Sequence, residues 1–477
     1  ACTSGATNTA VGSQAMTLVT TAGGNTAVGF GALDKLTTAN HNCALGANAL
    51  TECQTGTQNI AIGVSSLALN TNDNNVAVGH TALSNNTSGN GNIGIGTGAL
   101  NVNSTGISNV AVGTNALRDN TTASNSTAVG TGALLLNTTG TQNCAFGVQA
   151  LDANTTGAFN NGFGVNVLGS NTTGSGNTAM GEAAMISSTT ADNCVAYGRQ
   201  ALGQNISGNS NSALGFNALN ANTTGIQNTA LGTVALDANT TGSNHVAVGY
   251  LALSANTTAQ SNTAVGASAL AVNTTGGVNT AVGNNALAAN VSGAFNAACG
   301  VNALLNNTTA NENTAMGYIA LQTNTTGINN SAFGSSTLQA ATTASFNTGI
   351  GKGALFGCTT GAQNSAVGGQ CLVSVTTGEL NSGIGVNAGF AITTGDQNTQ
   401  LGHSSGSNIT TGDNNVNIGY FSNASSATVS NEITLGNTSS ATLRCNTQTI
   451  SALSDGRDKT NVIDLPEGLD FINKLRP

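Results

Sequence analysis

The sequence of 477 residues contains no Trp, 2 Pro, 3% aromatic residues and 6% charged residues. A typical soluble domain carries about 25% charged residues, so Asn, Thr and Ser must form most of this surface. Disordered chains are rich in charge and proline, and the scarcity of both argues against disorder. Aromatic and branched side chains are too thinly spread for the large core of an ordinary globular domain.

Positive charge is also scarce, because 9 Lys+Arg stand against 18 Asp+Glu. A nucleic-acid groove needs Lys and Arg to displace counterions and aromatic side chains to stack on bases. No apolar run approaches the ~18 residues of a membrane helix. We therefore expect no nucleic-acid partner and no membrane span.

What the chain does contain is a 17-residue repeat, N-T-A-V-G-x-x-A-L-x-x-N-T-T-G-x-x. Its first glycine recurs at Gly12, Gly29, Gly46 and Gly63, then at Gly79 and every 17 residues to Gly436, which gives 26 coils with one single-residue deletion around Asn70–Asn74. Such regular spacing places every unit in the same environment as its neighbours, as a stack of coils does. Short strands separated by Asn/Gly turns fit the pattern better than helices.

Numbering the unit from its leading Asn as position zero, position three is apolar in every coil and position eight is Leu or Met in 22 coils. Positions one and three share one strand face, and positions zero, two and four share the other. We expect the larger face to fill the coil interior. The core predicted on this basis includes Val28, Leu33, Leu45, Ile62, Leu253 and Val265.

The opposite face carries Asn, Ala and Gly, whose small side chains allow backbones to approach closely. One Val or Ile and one Leu per coil leave a single thin coil underfilled against the entropy of ordering 17 residues. We therefore expect this small face to pack against identical chains around a three-fold axis, in an intimately packed parallel homotrimer.

The motif N-x-A-V-G followed by A-L resembles the head repeats of trimeric autotransporter adhesins, and similar arrays occur in phage and viral fibre proteins. The resemblance covers residues 8 to about 436. It implies a parallel β-roll and three chains, although the unit here is longer than the usual adhesin-head repeat.

The composition changes after Leu453, since residues 454–477 hold nine of the charged residues and both prolines. Leu469, Ile472 and Leu475 follow at three-residue intervals and predict a short helix over Glu467–Leu475. The string S-D-G-R-D-K at 454–459, with L-D-F-I-N-K-L-R-P after it, resembles the start of the endosialidase-type intramolecular chaperone domain. That domain assembles three chains and then removes itself.

By this resemblance, Ser454 is the nucleophile of self-cleavage, Lys459 its base and Leu453–Ser454 the bond that breaks, while Asp455 and Arg457 match the motif. A serine hydroxyl becomes nucleophilic when a nearby base takes its proton, and a desolvated lysine serves as such a base. Only the first 24 residues of the domain are present, so we do not expect this fragment to cleave itself.

Other sites are weakly indicated. The nine cysteines include no C-x-x-C pair, and the four histidines are scattered, so we expect no metal and no cofactor. Repeated N-x-T sequons at Asn120, Asn137 and equivalent positions are interpreted as turn residues rather than glycosylation sites. The repeat has no carboxylate cluster of the kind that glycosidases need, so an enzyme is not expected beyond the single self-cleavage.

The predicted organisation is an all-β repetitive solenoid or β-roll over 1–436, a connector over 437–453 and the chaperone fragment over 454–477. The predicted function is the structural shaft of a homotrimeric fibre on a virion or in the extracellular space. Such a shaft would present a surface to an unidentified glycan or protein receptor. A bacterial surface adhesin and an ice-binding solenoid are the alternatives, the second requiring a regular Thr array.

Overall fold

The computed structural model of the protein describes residues 7–442 and residue 444. Its regular structure consists of 26 three-residue strands, one in each repeat, and the described residues contain no helix. The strands are β1 (Thr9–Val11), β2 (Thr26–Val28), β3 (Cys43–Leu45), β4 (Ile60–Ile62), β5 (Val76–Val78), β6 (Ile93–Ile95), β7 (Val110–Val112), β8 (Thr127–Val129), β9 (Cys144–Phe146), β10 (Asn161–Phe163), β11 (Thr178–Met180), β12 (Val195–Tyr197), β13 (Ser212–Leu214), β14 (Thr229–Leu231), β15 (Val246–Val248), β16 (Thr263–Val265), β17 (Thr280–Val282), β18 (Ala297–Cys299), β19 (Thr314–Met316), β20 (Ser331–Phe333), β21 (Thr348–Ile350), β22 (Ser365–Val367), β23 (Ser382–Ile384), β24 (Thr399–Leu401), β25 (Val416–Ile418) and β26 (Ile433–Leu435).

Each strand pairs in parallel with the strand of the next coil. The register joins residues 17 apart, as in Thr263 with Thr280, except that Ile60 pairs with Val76 across the single-residue deletion. Because paired strands lie about 4.8 Å apart, the 26 strands span roughly 120 Å. The prediction of an all-β parallel solenoid with 17-residue coils is confirmed.

The strand faces are the reverse of those predicted. In β2, Ala27 at position two is buried, Thr26 at position one is exposed and Val28 at position three is half-buried. The middle residue of every strand from β2 to β25 is likewise buried. The small face therefore lies inside the coil, and the larger side chains point outward.

Because of this reversal, only part of the predicted core is buried. Leu33 and Leu253, both at position eight, are fully buried as predicted. Val28 and Val265 are half-buried, and Leu45 and Ile62 are 47% and 36% exposed. The assignment of position three to the coil interior is wrong.

The narrowness of the coil explains the reversal. At Gly162, which occupies position two, a Cβ atom would lie 3.0 Å from Val167 Cγ1 and 3.3 Å from Leu151 Cδ1. Side chains from positions seven and eight already fill the space that position two faces. In coils filled in this way only Ala or Gly fits at position two, so a Val or Ile must face outward.

Two columns of asparagine amides complete the interior. At position zero, the Asn296 N–H donates to Asn279 Oδ1 of the preceding coil (3.0 Å), and Asn296 Nδ2 donates to Ala310 O of its own coil (2.8 Å). At position eleven, Asn290 Nδ2 donates to Asn273 Oδ1 (2.9 Å). Most of these buried amides are paired, so the coil fills itself with hydrogen bonds where the sequence predicted an underfilled core.

The leucines of position eight adopt an unexpected backbone conformation. Their φ angles are positive, 51° at Leu33 and 54° at Leu253, in a region that L-residues avoid at a cost of roughly 1–2 kcal/mol. In this conformation the Leu253 N–H donates to Ala269 O of the next coil (2.9 Å), and the side chain is fully buried. The sequence predicted turns at Asn and Gly and gave no indication of a left-handed conformation at leucine.

The last coils fill their interior with different residues from those of the earlier coils. Position eight is Gly389 and Gly406 where earlier coils have Leu, and position eleven of the same coils is Ile392 and Ile409 where many have Asn. Both isoleucines are fully buried. A Cβ on Gly389 would lie 3.0 Å from Ile392 Cδ1, so the isoleucine occupies the volume that the leucine vacates.

Two adjacent glycines test how tightly the coils stack. Gly368 at position four has φ of 137°, and a Cβ there would lie 2.5 Å from Gly385 O of the next coil. A Cβ added to Gly369 would have no atom within 4 Å, and the φ angle of Gly369 is not positive. We predict that Gly368→Ala lowers the thermal midpoint by several degrees, because it forces two backbones apart. Gly369→Ala should leave it within a degree, and equal effects from both would contradict the close stacking.

Candidate interaction surface

The outward side of the strands forms a continuous surface, which we call the strand face and define as the side chains at positions one, three and five. In most coils the side chain at position three is large, apolar and exposed. These side chains run the length of the solenoid. They are Val11, Leu45, Ile62, Ile95, Phe146, Met180, Tyr197, Leu214, Leu231, Val282, Met316, Phe333, Ile350, Val367, Ile384, Leu401, Ile418 and Leu435. The exposed column repeats at the strand spacing of about 4.8 Å.

Position five widens the strand face. Its exposed apolar members are Phe30, Val64, Val148, Val165, Phe216, Tyr250, Val301, Tyr318, Val386 and Tyr420. The few charges at position five partly pair, since Arg199 Nε lies 3.5 Å from Glu182 Oε2 and its guanidinium lies 5.9 Å from the centre of the Phe216 ring. Positions one and three carry no Asp, Glu, Lys or Arg in any of the 26 strands.

The aromatic residues of the strand face meet across coils. The Phe146 and Phe163 rings stack with centroids 5.2 Å apart and an angle of 7° between their planes. Monomeric soluble proteins rarely expose contiguous apolar patches larger than a few hundred Å². An uncharged apolar column of this length is typical of a surface that another molecule covers.

The asparagines of the sequons lie in the interior. Asn120, Asn137 and the other asparagines at position eleven are fully buried, and Asn137 Nδ2 donates to Asn120 Oδ1 (3.0 Å). Their structural role agrees with the interpretation from sequence, but they form a buried ladder rather than a surface turn. The folded coil gives a glycosyl group no access to these amides.

The cysteines divide by exposure. Burial raises the pKa of Cys53 and Cys194 to about 11 and that of Cys358 and Cys371 to about 12. These thiols stay protonated near neutral pH and are poor nucleophiles. Cys299 at position three is the one exposed cysteine among the described residues, and it lies on the strand face.

Side chains that could bind a metal or catalyse a reaction do not cluster in the part of the chain that the structure describes. No group of three or more His, Cys, Asp and Glu side chains could hold a metal ion within residues 7–442. None of the described segments forms a helix with the length and hydrophobicity that a membrane crossing requires. Ser454, Lys459, Asp455 and Arg457 and the predicted helix over Glu467–Leu475 lie outside the described residues.

Comparison with known proteins identifies no family for this chain. No protein-family model and no curated protein matches the sequence.

One titratable group, His245, lies inside the asparagine column at position zero. Its Nε2 lies 2.7 Å from Ala259 O and must donate, while its Nδ1 accepts the Asn262 N–H at 3.1 Å. Neutral histidine thus reproduces both bonds of the asparagine that other coils carry. The sequence predicted no role for this histidine, because its column was expected on the outer face of the coil.

Burial lowers the pKa of His245, and its hydrogen bond to the Ala259 carbonyl partly opposes that shift. The groups that contact the ring are uncharged, including Asn256 Nδ2 at 3.1 Å from Nε2. A proton on Nδ1 would face the Asn262 N–H and remove the acceptor that holds the next coil. The folded chain therefore resists a proton that the unfolded chain accepts.

We predict that acid weakens the coil around His245. Since the folded-state pKa lies below the unfolded value of about 6.5, stability is retained above pH 6.5 and falls by up to about 1.4 kcal/mol per pH unit below it. His245→Asn should abolish this pH dependence in hydrogen exchange of residues 228–262. His41→Asn, at an exposed histidine, is the matched control. Equal acid sensitivity in the wild type and His245→Asn would contradict the prediction.

Proposed function

We propose that the chain forms the shaft of a homotrimeric fibre on a virion or in the extracellular space, holding other parts at a distance and offering a repetitive surface to a glycan or protein receptor. The observation that carries the proposal is the apolar strand face, whose positions one and three carry no charged residue along roughly 120 Å of stacked coils. The shaft's work is mechanical, and the proposal assigns it no enzymatic activity.

The spacing of the strand face favours identical chains as its partner. Apolar side chains recur once per coil along the whole solenoid, so a partner that covers all of them needs the same rise per coil and the same length. A parallel second and third copy meets both requirements. The interface proposed here is therefore the strand face, because the small face on which the sequence placed it lies inside the coil.

Assembly of the proposed trimer is assigned to the chaperone domain that the tail resembles. In a precursor with the whole chaperone domain, Lys459 would take the proton of the Ser454 hydroxyl, whose oxygen would attack the Leu453 carbonyl carbon. The C–N bond of Leu453–Ser454 would break, its nitrogen would take the proton, and water would then hydrolyse the resulting ester. This step belongs to the precursor and is separate from the role of the shaft.

The oligomeric state of the intact chain tests the proposal. Light scattering on the native chain should give a particle mass of three times the 46.5 kDa of one chain. Electron microscopy should show rods with a straight section about 120 Å long. A monomer mass at micromolar concentration would overturn the trimer, and a globular particle would overturn the shaft.

A matched pair of double variants locates the interface. Leu214 and Leu231 occupy position three of neighbouring coils and are 52% and 46% exposed. We predict that Leu214→Asp with Leu231→Asp weakens association by at least tenfold, since buried unpaired carboxylates are costly. Thr224→Asp with Thr241→Asp places the same charges on another exposed column of the same coils and should leave the mass unchanged. Loss of the trimer in the threonine variant alone would place the interface elsewhere.

Cys299 gives an independent measurement on the unaltered chain. If strand faces meet, its thiol should react slowly with a maleimide in the native assembly and rapidly after denaturation. Mass spectrometry of the Cys299 peptide separates this signal from Cys2 and Cys445, which lie outside the described residues. Fast labelling in the native state would contradict a covered strand face.

An ice-binding solenoid is the second candidate, and one observation favours it. Position thirteen is an exposed threonine in runs of successive coils, as in Thr139, Thr156, Thr173 and Thr190. This column is more regular than position one, where Thr alternates with Val, Ile and Cys. Thermal hysteresis separates the two functions, because a fibre shaft predicts none. A bacterial surface adhesin, the other alternative, predicts a membrane anchor in the intact protein.

A further inference from the structure

The interior of the last coils differs chemically from the rest of the shaft. Position two is Ala or Gly in every strand from β1 to β23, but it is Gln400 in β24 and Asn417 in β25. The two residues are register partners in neighbouring coils. Gln400 is 1% exposed and Asn417 is fully buried, so two carboxamides stack inside the solenoid where methyl groups stack elsewhere.

Glycine at position eight makes room for these amides. A Cβ added to Gly406 would collide with the Gln400 carboxamide, and one added to Gly389 would lie 3.4 Å from Gln400 Cγ. Gln400 therefore extends into the volume that a leucine fills in the preceding coils.

None of the four polar atoms of these two carboxamides has a hydrogen-bond partner among the described residues. The same holds for the hydroxyl of Ser405, which is fully buried in the coil of Gln400. Leaving a buried polar group unpaired costs about 1–3 kcal/mol. In the asparagine columns, by contrast, Asn398 Nδ2 donates to Gly412 O at 2.8 Å. Unpaired atoms gathered on two adjacent coils indicate a ligand that supplies both donors and acceptors.

We propose that Gln400, Ser405 and Asn417 form an internal water-binding site in the shaft. Each carboxamide offers one acceptor oxygen and two N–H donors, and the hydroxyl offers both. Water pairs with all of them, and buried waters in proteins make about three such bonds. An ion fits less well, because these neutral groups would leave its charge uncompensated in a low-dielectric interior.

The site makes the coils of residues 398–431 the weak part of the shaft. Coils filled by Leu and by paired amides hold at most isolated unpaired polar atoms, whereas a hydrated coil opens at lower cost. The site lies within one chain, so it does not depend on the number of chains in the fibre. Its consequence is a localised region of faster opening at one end of the repeat array.

The direct test is a density map of the intact native protein, at a resolution that shows ordered solvent. We expect solvent density within hydrogen-bonding distance of the Gln400 and Asn417 amides and no equivalent density beside Ala264 or Ala281 at the same position. Direct amide-to-amide bonds between Gln400 and Asn417, with no solvent density beside them, would overturn the proposal.

Hydrogen exchange on a rebuilt interior gives the second measurement. The combined change Gln400→Ala, Gly406→Leu, Ile409→Asn and Asn417→Ala restores the residues that fill earlier coils. Gly406 already has φ of 56°, close to the value of the position-eight leucines. We expect amide exchange in residues 398–424 to slow at least tenfold, while that of residues 262–330 stays unchanged as the internal control. Exchange in residues 398–424 that is unchanged or faster, with the control region intact, would contradict a hydrated interior.

Discussion

The structure depends on the buried side-chain amide that begins most coils. Through its Oδ1 it accepts the backbone N–H of the next coil, and through its Nδ2 it bonds a carbonyl 14 residues further along its own coil, as at Asn279 with Asn296 and Gly293. One side chain thus closes a coil and holds the next in register. The position-eleven amides donate to the same carbonyls, as Asn290 does to Gly293 O. Because each amide link between coils joins a residue to its equivalent in the next coil, a regular 17-residue period is the condition for the network to exist.

This network leaves little room inside the coil, and the narrow interior determines the exterior. Ala at positions two and seven and Leu at position eight fill the space, so branched and aromatic residues at position three must lie outside. The apolar surface of the protein is consequently a result of its core geometry, and it is the surface on which we propose that chains associate. The same chain that satisfies its own polar groups still exposes an apolar column that water does not favour.

The sequence predicted the period, the strands, the parallel register and the deletion before Asn75, because each follows from spacing alone. It did not predict which strand face is buried. Alternation separates two faces but leaves a choice between them, and the usual preference for burying the larger side chains chose Leu45 and Ile62 wrongly. The deciding quantity is the free space that position two faces, which Leu151 and Val167 limit at Gly162 and which is not encoded in any single position.

Other features were hidden for related reasons. The roles of Asn137 and His245 require knowing that their columns face inward, and the left-handed conformation of Leu253 contradicts the ordinary preference of leucine. The loss of Leu at Gly389 was visible in the sequence, but its replacement by Ile392 of the same coil requires knowing that positions eight and eleven share one space. The apolar residues of the strand face were visible in the sequence, but they were predicted to face the coil interior.

A cross-section of the assembled protein by cryo-electron microscopy, at a resolution that separates side chains, tests this account most directly. The account predicts that alanine and asparagine columns lie within each coil and that side chains such as Leu214 and Ile384 from different chains meet between coils. A cross-section in which those side chains lie inside a single coil, or in which one chain stands alone with its strand face in solvent, would contradict it.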